Sequence, residues 1–202
     1  MSRPRLVLVH GSIVGGRATW REQRRGIGDN AELVVLERPG FDEATAADGV
    51  GEASGPAPRV DFEDHADWVA DRLAEGDHLV GHSYGGVVAL LGAARATDLG
   101  SLTVIEPPAT RVALDVPEVA AFARGGEELW ANGPRHDPEA FMRAVLAAVG
   151  SGFDPPVPLP PQLPRRLTPS RPLRACCSEP PPPRSGWAPS SAGSSERRGS
   201  AS

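Results

Sequence analysis

The sequence predicts an α/β chain built on a parallel sheet, and three observations carry that prediction. Leu6-Val7-Leu8-Val9, Leu33-Val34-Val35-Leu36 and Leu102-Thr103-Val104-Ile105 are short runs, apolar or nearly so throughout. Strands covered on both faces read this way, because neither face meets water. Stretches with helical spacing lie between such runs, the order that a sheet with crossover helices requires. The runs stop at His10-Gly11, Arg38-Pro39-Gly40 and Glu106-Pro107-Pro108, where glycine and proline interrupt regular structure.

The first strand is Leu6–Val9. Gly15, Gly16 and Thr19 then form a loop, and Trp20 to Arg25 begins a short helix. Glu32–Leu36 is the second strand. Residues 42–60, rich in Ala, Gly and Pro, read as a loop. From Asp61 to Glu75 the apolar positions Phe62, Ala66, Val69, Ala70 and Leu73 recur near helical spacing. Asp61 caps this helix, Asp64 three residues on makes an imperfect capping box, and Gly76 stops it. His78-Leu79-Val80-Gly81 is the third strand, running straight into Ser83-Tyr84-Gly85-Gly86 and a small-residue helix from Val87 to Ala96. The fourth strand is Leu102–Ile105. Two helices follow, Glu118–Trp130 and Pro138–Val149, with no strand pattern after them.

Composition divides the chain. Its 202 residues are enough for one domain and carry 21 Arg, no Lys and a formal charge of −5. Residues 1–154 are strongly acidic; residues 155–202 are basic and hold 13 of the 22 prolines. That last segment has no Ile, Phe, Met or Tyr, so it cannot bury enough apolar surface to offset its ordering entropy and reads as disordered. The domain expectation is therefore an α/β core over 1–116, a helical segment over 117–154 and a Pro/Arg/Ser-rich tail over 155–202. Two adjacent cysteines, Cys176 and Cys177, make no disulfide scaffold and have nothing nearby to complete a metal site. No apolar run approaches the roughly 18 residues of a membrane span. Behind Ser2-Arg3-Pro4-Arg5 the run Leu6–Val9 is too short for a signal-peptide core, so a cytoplasmic protein is expected. The overall acidity argues against nucleic-acid binding.

The chemistry is carried by Gly81-His82-Ser83-Tyr84-Gly85, a G-x-S-x-G sequence that leaves a strand and opens a helix. A serine hydroxyl is a weak nucleophile and must stand clear of the sheet to meet a base and a carbonyl. A sharp, strained strand-to-helix turn does this, with glycines keeping side chains out of the crossing. The helix N-terminus offers N–H groups and a positive dipole end to a developing oxyanion. At the end of the first strand, His10-Gly11-Ser12 places the Ser12 N–H near this turn. With the Tyr84 N–H it makes a candidate oxyanion hole.

With these stretches in view, the chain resembles the α/β-hydrolase fold family. The resemblance rests on LVLVHGSIVGGRATW (6–20), LVVLERPGFDEA (33–44), HLVGHSYGGVVALL (78–91) and LTVIEPPA (102–109), in the family's order and spacing. It implies a parallel-sheet hydrolase core and a cap formed by the helices from 118 to 149. It also implies a Ser–acid–His triad without a cofactor, acting on a small-molecule substrate. Cap side chains such as Phe122, Trp130, Phe141 and Met142 would set substrate choice, and are equally explained as packing.

The family's histidine comes late, after the last strand, but no histidine follows His136 here. His10 belongs to the oxyanion strand end, His65 reads as a solvated or half-buried helix residue, His78 starts a strand, and His82 is turned elsewhere by the elbow. His136 precedes a helix as a loop residue. For the acid, some relatives use the end of the strand corresponding to 102–105, where Glu106 stands. Glu37 and Asp42 suit the role less well. The expectation is a serine hydrolase of a small ester or related acyl substrate, acting through Ser83 with Glu106 as the acid. Its activity is weak or absent without a late base. A non-catalytic relative that binds a small ligand or partner is the alternative. Arg-Pro-Ser-Gly-rich text without Lys is also what an out-of-frame continuation beyond about residue 160 would look like. Translation of the other two frames downstream of codon 155 would reveal strands and a late His if so. The rival is a genuine proline-rich tail, in which Pro180–Pro183 adopts polyproline II and docks an aromatic groove.

Overall fold

The computed structural model describes residues 3–39, 41, 61–96, 98–134 and 136–158. The expected loop over 42–60, Asp42 within it, and the tail from 159 onward lie outside the described residues. Four strands form one parallel sheet: β1 (Arg5–Val9), β2 (Glu32–Leu36), β3 (His78–His82) and β4 (Ser101–Ile105), in the order β2-β1-β3-β4. Leu6 pairs with both Leu33 and His78, and His78 with Ser101, so every strand points its carboxyl end the same way. β1 and β3 are the central pair. Val7, Val9 and Leu79 have no exposed surface, which is what an apolar run buried on both faces predicts.

The helices are α1 (Gly16–Thr19), α2 (Arg21–Ile27), α3 (Phe62–Ala70), α4 (Tyr84–Ala93), α5 (Pro117–Asn132) and α6 (Pro138–Ala148). α3 packs against α4, and Val69, Val88 and Ala89 join Val7, Val9 and Leu79 in the core. The loop expected over Gly15, Gly16 and Thr19 is instead the helical turn α1, and the helix expected from Trp20 is α2. Trp20 itself, 3% exposed, breaks the path between α1 and α2.

α3 is also shorter than its periodicity predicts. Its cap is Asp61, whose carboxylate accepts the Glu63 N–H at 2.8 Å. Its end comes at Ala70 and not at Glu75, and the next residues close tight i→i−3 turns, Arg72 N–H to Val69 and Leu73 N–H to Ala70. A tertiary bond overrides the helical pattern. The Asp77 carboxylate, 2% exposed, takes the Ala74 N–H at 2.7 Å and pairs with Arg5 at the start of β1. That bond folds residues 71–77 back toward the amino edge of the sheet. Asp77→Ala leaves the Ala74 N–H without its acceptor and the half-buried Arg5 with only its longer pair to Glu32 at 3.7 Å. It is expected to cost about 2 kcal/mol, read as a drop in the urea midpoint at unchanged m; an unchanged midpoint would show that the pair is incidental.

β4 is the outer strand on its side among the described residues. Leu102 and Ile105 are 39% and 40% exposed, unlike their counterparts on β1. The edge is therefore apolar as well as unpaired, the combination that invites strand addition by another chain. α6 lies over the segment that follows β1: Met142, fully buried, and Leu146 pack on Ile13. Phe141 is buried against Trp130 of α5, with ring centres 5.9 Å apart, whereas Phe122 is 45% exposed. Three of the four aromatic or sulfur-bearing side chains considered for substrate choice, Phe141, Met142 and Trp130, are thus engaged in packing. No helix among the described residues is long and apolar enough to cross a membrane.

Candidate active site

In the order β2-β1-β3-β4 the connections run one way from β1 to β2 and the other way to β3. The switch point therefore lies at the carboxyl ends of β1 and β3, the crevice where open parallel sheets bind ligands. Ser83 stands there, between β3 and α4, with φ 53° and ψ −124°. A serine has no intrinsic reason to adopt a left-handed φ, so the surrounding structure imposes it. The Ser83 N–H is held by the Ile105 carbonyl at 2.9 Å, and its own carbonyl accepts from Gly86 at 2.8 Å. The neighbouring chain leaves no room for side chains. A Cβ on Gly81 would stand 2.3 Å from the Gly85 carbonyl oxygen, and one on Gly85 2.4 Å from that of His10.

Gly11, at the end of β1, is close to the elbow: a Cβ there would lie 3.3 Å from the Ser83 Cβ. Ser12 follows and is exposed; Tyr84 is the first residue of α4. The Tyr84 ring is 6% exposed, stacks on Phe62 with ring centres 4.3 Å apart, and brings its hydroxyl to His65 Nδ1 at 3.1 Å. Glu106 follows Ile105, the residue that holds Ser83, so the end of β4 lies beside the elbow. Glu106 also has a left-handed φ, 48°. Its carboxylate is largely exposed and faces His82 Nε2 at 3.9 Å. The His82 ring meets Trp20 edge-on, and its buried Nδ1 makes no hydrogen bond among the described residues.

No described histidine reaches the Ser83 hydroxyl, which makes no hydrogen bond among the described residues. His10 has no exposed surface. Its Nε2 accepts the Arg38 N–H at 3.1 Å, so its Nδ1 carries the proton and donates to the Gly11 carbonyl at 2.9 Å. His78 pairs with Ser101 at the opposite, amino end of the sheet, and His136 is exposed. His65 departs from its reading as a solvated or half-buried helix residue. It is 3% exposed, and burial, reinforced by the Arg38 charge, pulls its pKa down to about 4. Asp64 and Asp61 oppose that shift. His65 is therefore neutral near pH 7 and accepts, through Nδ1, from Tyr84 and from Arg38 Nη1 at 3.4 Å.

Arg38 was legible only as part of a strand-ending Arg-Pro-Gly. It is 1% exposed. Nε donates to the His10 carbonyl at 3.2 Å, Nη2 to that of Gly11, and the guanidinium sits 4.4 Å over the Tyr84 ring and 4.8 Å from that of Phe41. Burial lowers its pKa to about 10, so it stays a cation at neutral pH. Glu37 beside it accepts two backbone N–H groups, Gly16 and Arg17, each at 2.8 Å. Arginine, glutamate and histidine give no sequence signal for burial. Position is the available clue, since Glu37 and Arg38 end the strand that flanks β1.

Among known proteins, the model of the alpha/beta hydrolase family matches residues 6–194. No curated protein matches this chain. Solved structures with a similar fold include the N-acyl homoserine lactonase AidH bound to N-butanoyl homoserine (18% identity, TM-score 0.50, 83% of this chain and 60% of that one). An alpha/beta hydrolase from Sphaerobacter thermophilus is similar as well (22%, 0.47, 83% and 62%). So is the thioesterase RedJ from Streptomyces coelicolor (20%, 0.43, 82% and 61%). The chain spans about three fifths of the length of these structures.

Proposed function

We propose that this chain, which belongs to the alpha/beta hydrolase family, acts on a small ester or related acyl substrate with Ser83 as its nucleophile. The observation that carries the reading is the left-handed φ of Ser83 at the carboxyl end of a central strand. Strain of that kind persists only where the structure over-determines it, and it raises a hydroxyl clear of the sheet. Ser83 Oγ attacks the acyl carbon and gives its proton to solvent, and the Ser12 and Tyr84 amides receive the oxyanion. Its collapse breaks the bond to the leaving alcohol, which takes a proton from water, and a water then hydrolyses the acyl-serine. Glu106 is the acid of the site. Glu106 faces His82 and not a base that faces Ser83, and the Ser83 hydroxyl has no histidine partner. The activity of this chain is therefore weak. Without a triad member, catalysis falls to the residual ~10³–10⁴-fold over water that binding and the oxyanion hole supply.

Hydrolysis of a short-chain p-nitrophenyl ester tests this. A slow turnover above the buffer rate is expected, lost in Ser83→Ala. Fast, Ser83-dependent turnover would mean that a base acts which the described residues do not contain; turnover unchanged in Ser83→Ala would remove Ser83 from the reaction. The uncommitted Ser83 hydroxyl also favours a second reading, a relative that binds a small ligand in the same crevice without turning it over. A fluorophosphonate separates the two, since it labels only an activated serine.

A further inference from the structure

Glu37 and Arg38 leave the carboxyl end of β2 side by side and grip the segment between β1 and α1 at both of its ends. Glu37 holds the far end through the Gly16 and Arg17 N–H groups. Arg38 holds the near end through the carbonyls of two successive residues, His10 and Gly11, while its own N–H bonds the His10 ring. That ring in turn donates to the same Gly11 oxygen. Ser12 lies between the two grips.

A guanidinium that is 1% exposed is costly to bury, and among the described residues no carboxylate pairs with it. Its donors go to two carbonyls and to a histidine kept neutral. Only a planar fork reaches both carbonyls at once; an ammonium is a point donor. The consequence lies one bond away. The Gly11 carbonyl and the Ser12 N–H share one planar trans peptide, so they point in opposite directions. Two donors pull the carbonyl inward, toward Arg38 and His10. The N–H is then aimed outward, to the side on which Ser12 is exposed and Ser83 lies close to Gly11. Donation to the carbonyl also polarises the peptide and strengthens its N–H as a donor.

We infer that Arg38, assisted by His10 and Glu37, is a positioning residue that aims the Ser12 N–H at the oxyanion of an acyl group on Ser83. The inference rests on the reading of Ser83 as nucleophile and Ser12 as oxyanion donor. His65 and Tyr84 complete the seat: one accepts from the guanidinium and the other offers its ring face.

The test is the rate at which a fluorophosphonate phosphonylates Ser83 in the whole chain, followed by intact-protein mass, with the Ser12 amide resonance as a second reading. In wild type, slow labelling is expected, accompanied by a downfield shift of the Ser12 N–H. In Arg38→Met, labelling is expected to slow by about tenfold or more, with the Ser12 shift reduced. Added guanidinium ion should restore part of the rate, which it would not do for a residue that merely fills space. A folded Arg38→Met labelled at the wild-type rate overturns the inference and leaves the nucleophile reading intact. Absence of labelling in wild type overturns the nucleophile reading and the inference with it. If Arg38→Met does not fold, Arg38→Lys keeps the charge and gives up the fork. A folded Arg38→Lys with wild-type rate and an unmoved Ser12 resonance overturns the inference equally, and loss of fold in both variants assigns Arg38 to stability alone.

Discussion

Gly85→Ala is expected to yield no folded protein. The added methyl carbon would lie 2.4 Å from the His10 carbonyl oxygen and 2.6 Å from that of Val9. Both are backbone atoms at the end of β1, the strand bonded to β2 on one side and β3 on the other. A flexible side chain can yield to a new methyl; a doubly paired strand cannot move without breaking its register. Ordinary overpacking costs about 1–3 kcal/mol, and a contact this close with immovable partners belongs beyond that range. It approaches the whole of a typical ~5–15 kcal/mol stability. Gly81→Ala meets the Gly85 carbonyl at 2.3 Å and should fail in the same way. Gly126→Ala is the control. It lies within α5, nothing stands within 4 Å of its Cβ, and the change should be neutral or stabilising by up to about 1 kcal/mol. Soluble yield and urea unfolding compare the three. A Gly85→Ala protein within about 1 kcal/mol of wild type would show that α4 does not cross β1 so closely.

The same crossing explains what the sequence made legible. A strand buried on both faces needs a continuous apolar run, and β1 announces itself by one. β2 and β4 carry the same kind of run, but β2 is only partly covered and β4 is largely exposed among the described residues. An elbow needs small residues at fixed offsets from its serine, so Gly81 and Gly85 mark it. These requirements are local and leave local traces. The end of α3 did not, because it depends on Asp77 meeting Arg5 seventy-two residues away. The apolar spacing continues to Leu73 while the backbone has already left the helix.

The site divides in the same way. Ser83, Ser12, Tyr84 and Glu106 stood out as candidates by their places at strand ends. The left-handed φ of Glu106 and the seat around Arg38 did not. Burial of a cation is decided by what other segments bring to it, here the His10 and Gly11 carbonyls just past β1, the imidazole of α3 and the ring that opens α4. Arg38-Pro39-Gly40 read alone is a turn.

Acid should unfold this protein through His65. Its pKa in the folded chain is about 4, against an ordinary value of 6.5, chiefly through burial and then the Arg38 charge. Between those values the unfolded chain takes up a proton that the folded chain refuses, so stability rises with pH across that window. The contribution is complete above about pH 6.5 and is lost as pH falls toward 4. It amounts to about 3 kcal/mol over the full window. The structural reason is specific: Nδ1 is an acceptor for both Tyr84 and Arg38, and protonation turns it into a donor facing a cation. In His65→Gln this share of the pH dependence should vanish. Its stability is expected to be lower at pH 7 but to fall less steeply between pH 6.5 and 4, since the carboxylates that titrate nearby are common to both proteins. Urea unfolding at several pH values gives both slopes, and parallel curves would mean that His65 titrates normally. Because the same imidazole seats Arg38 and stays neutral in the folded chain down to about pH 4, phosphonylation of Ser83 by folded wild type should hold through the upper part of that range and fall only as pH approaches 4.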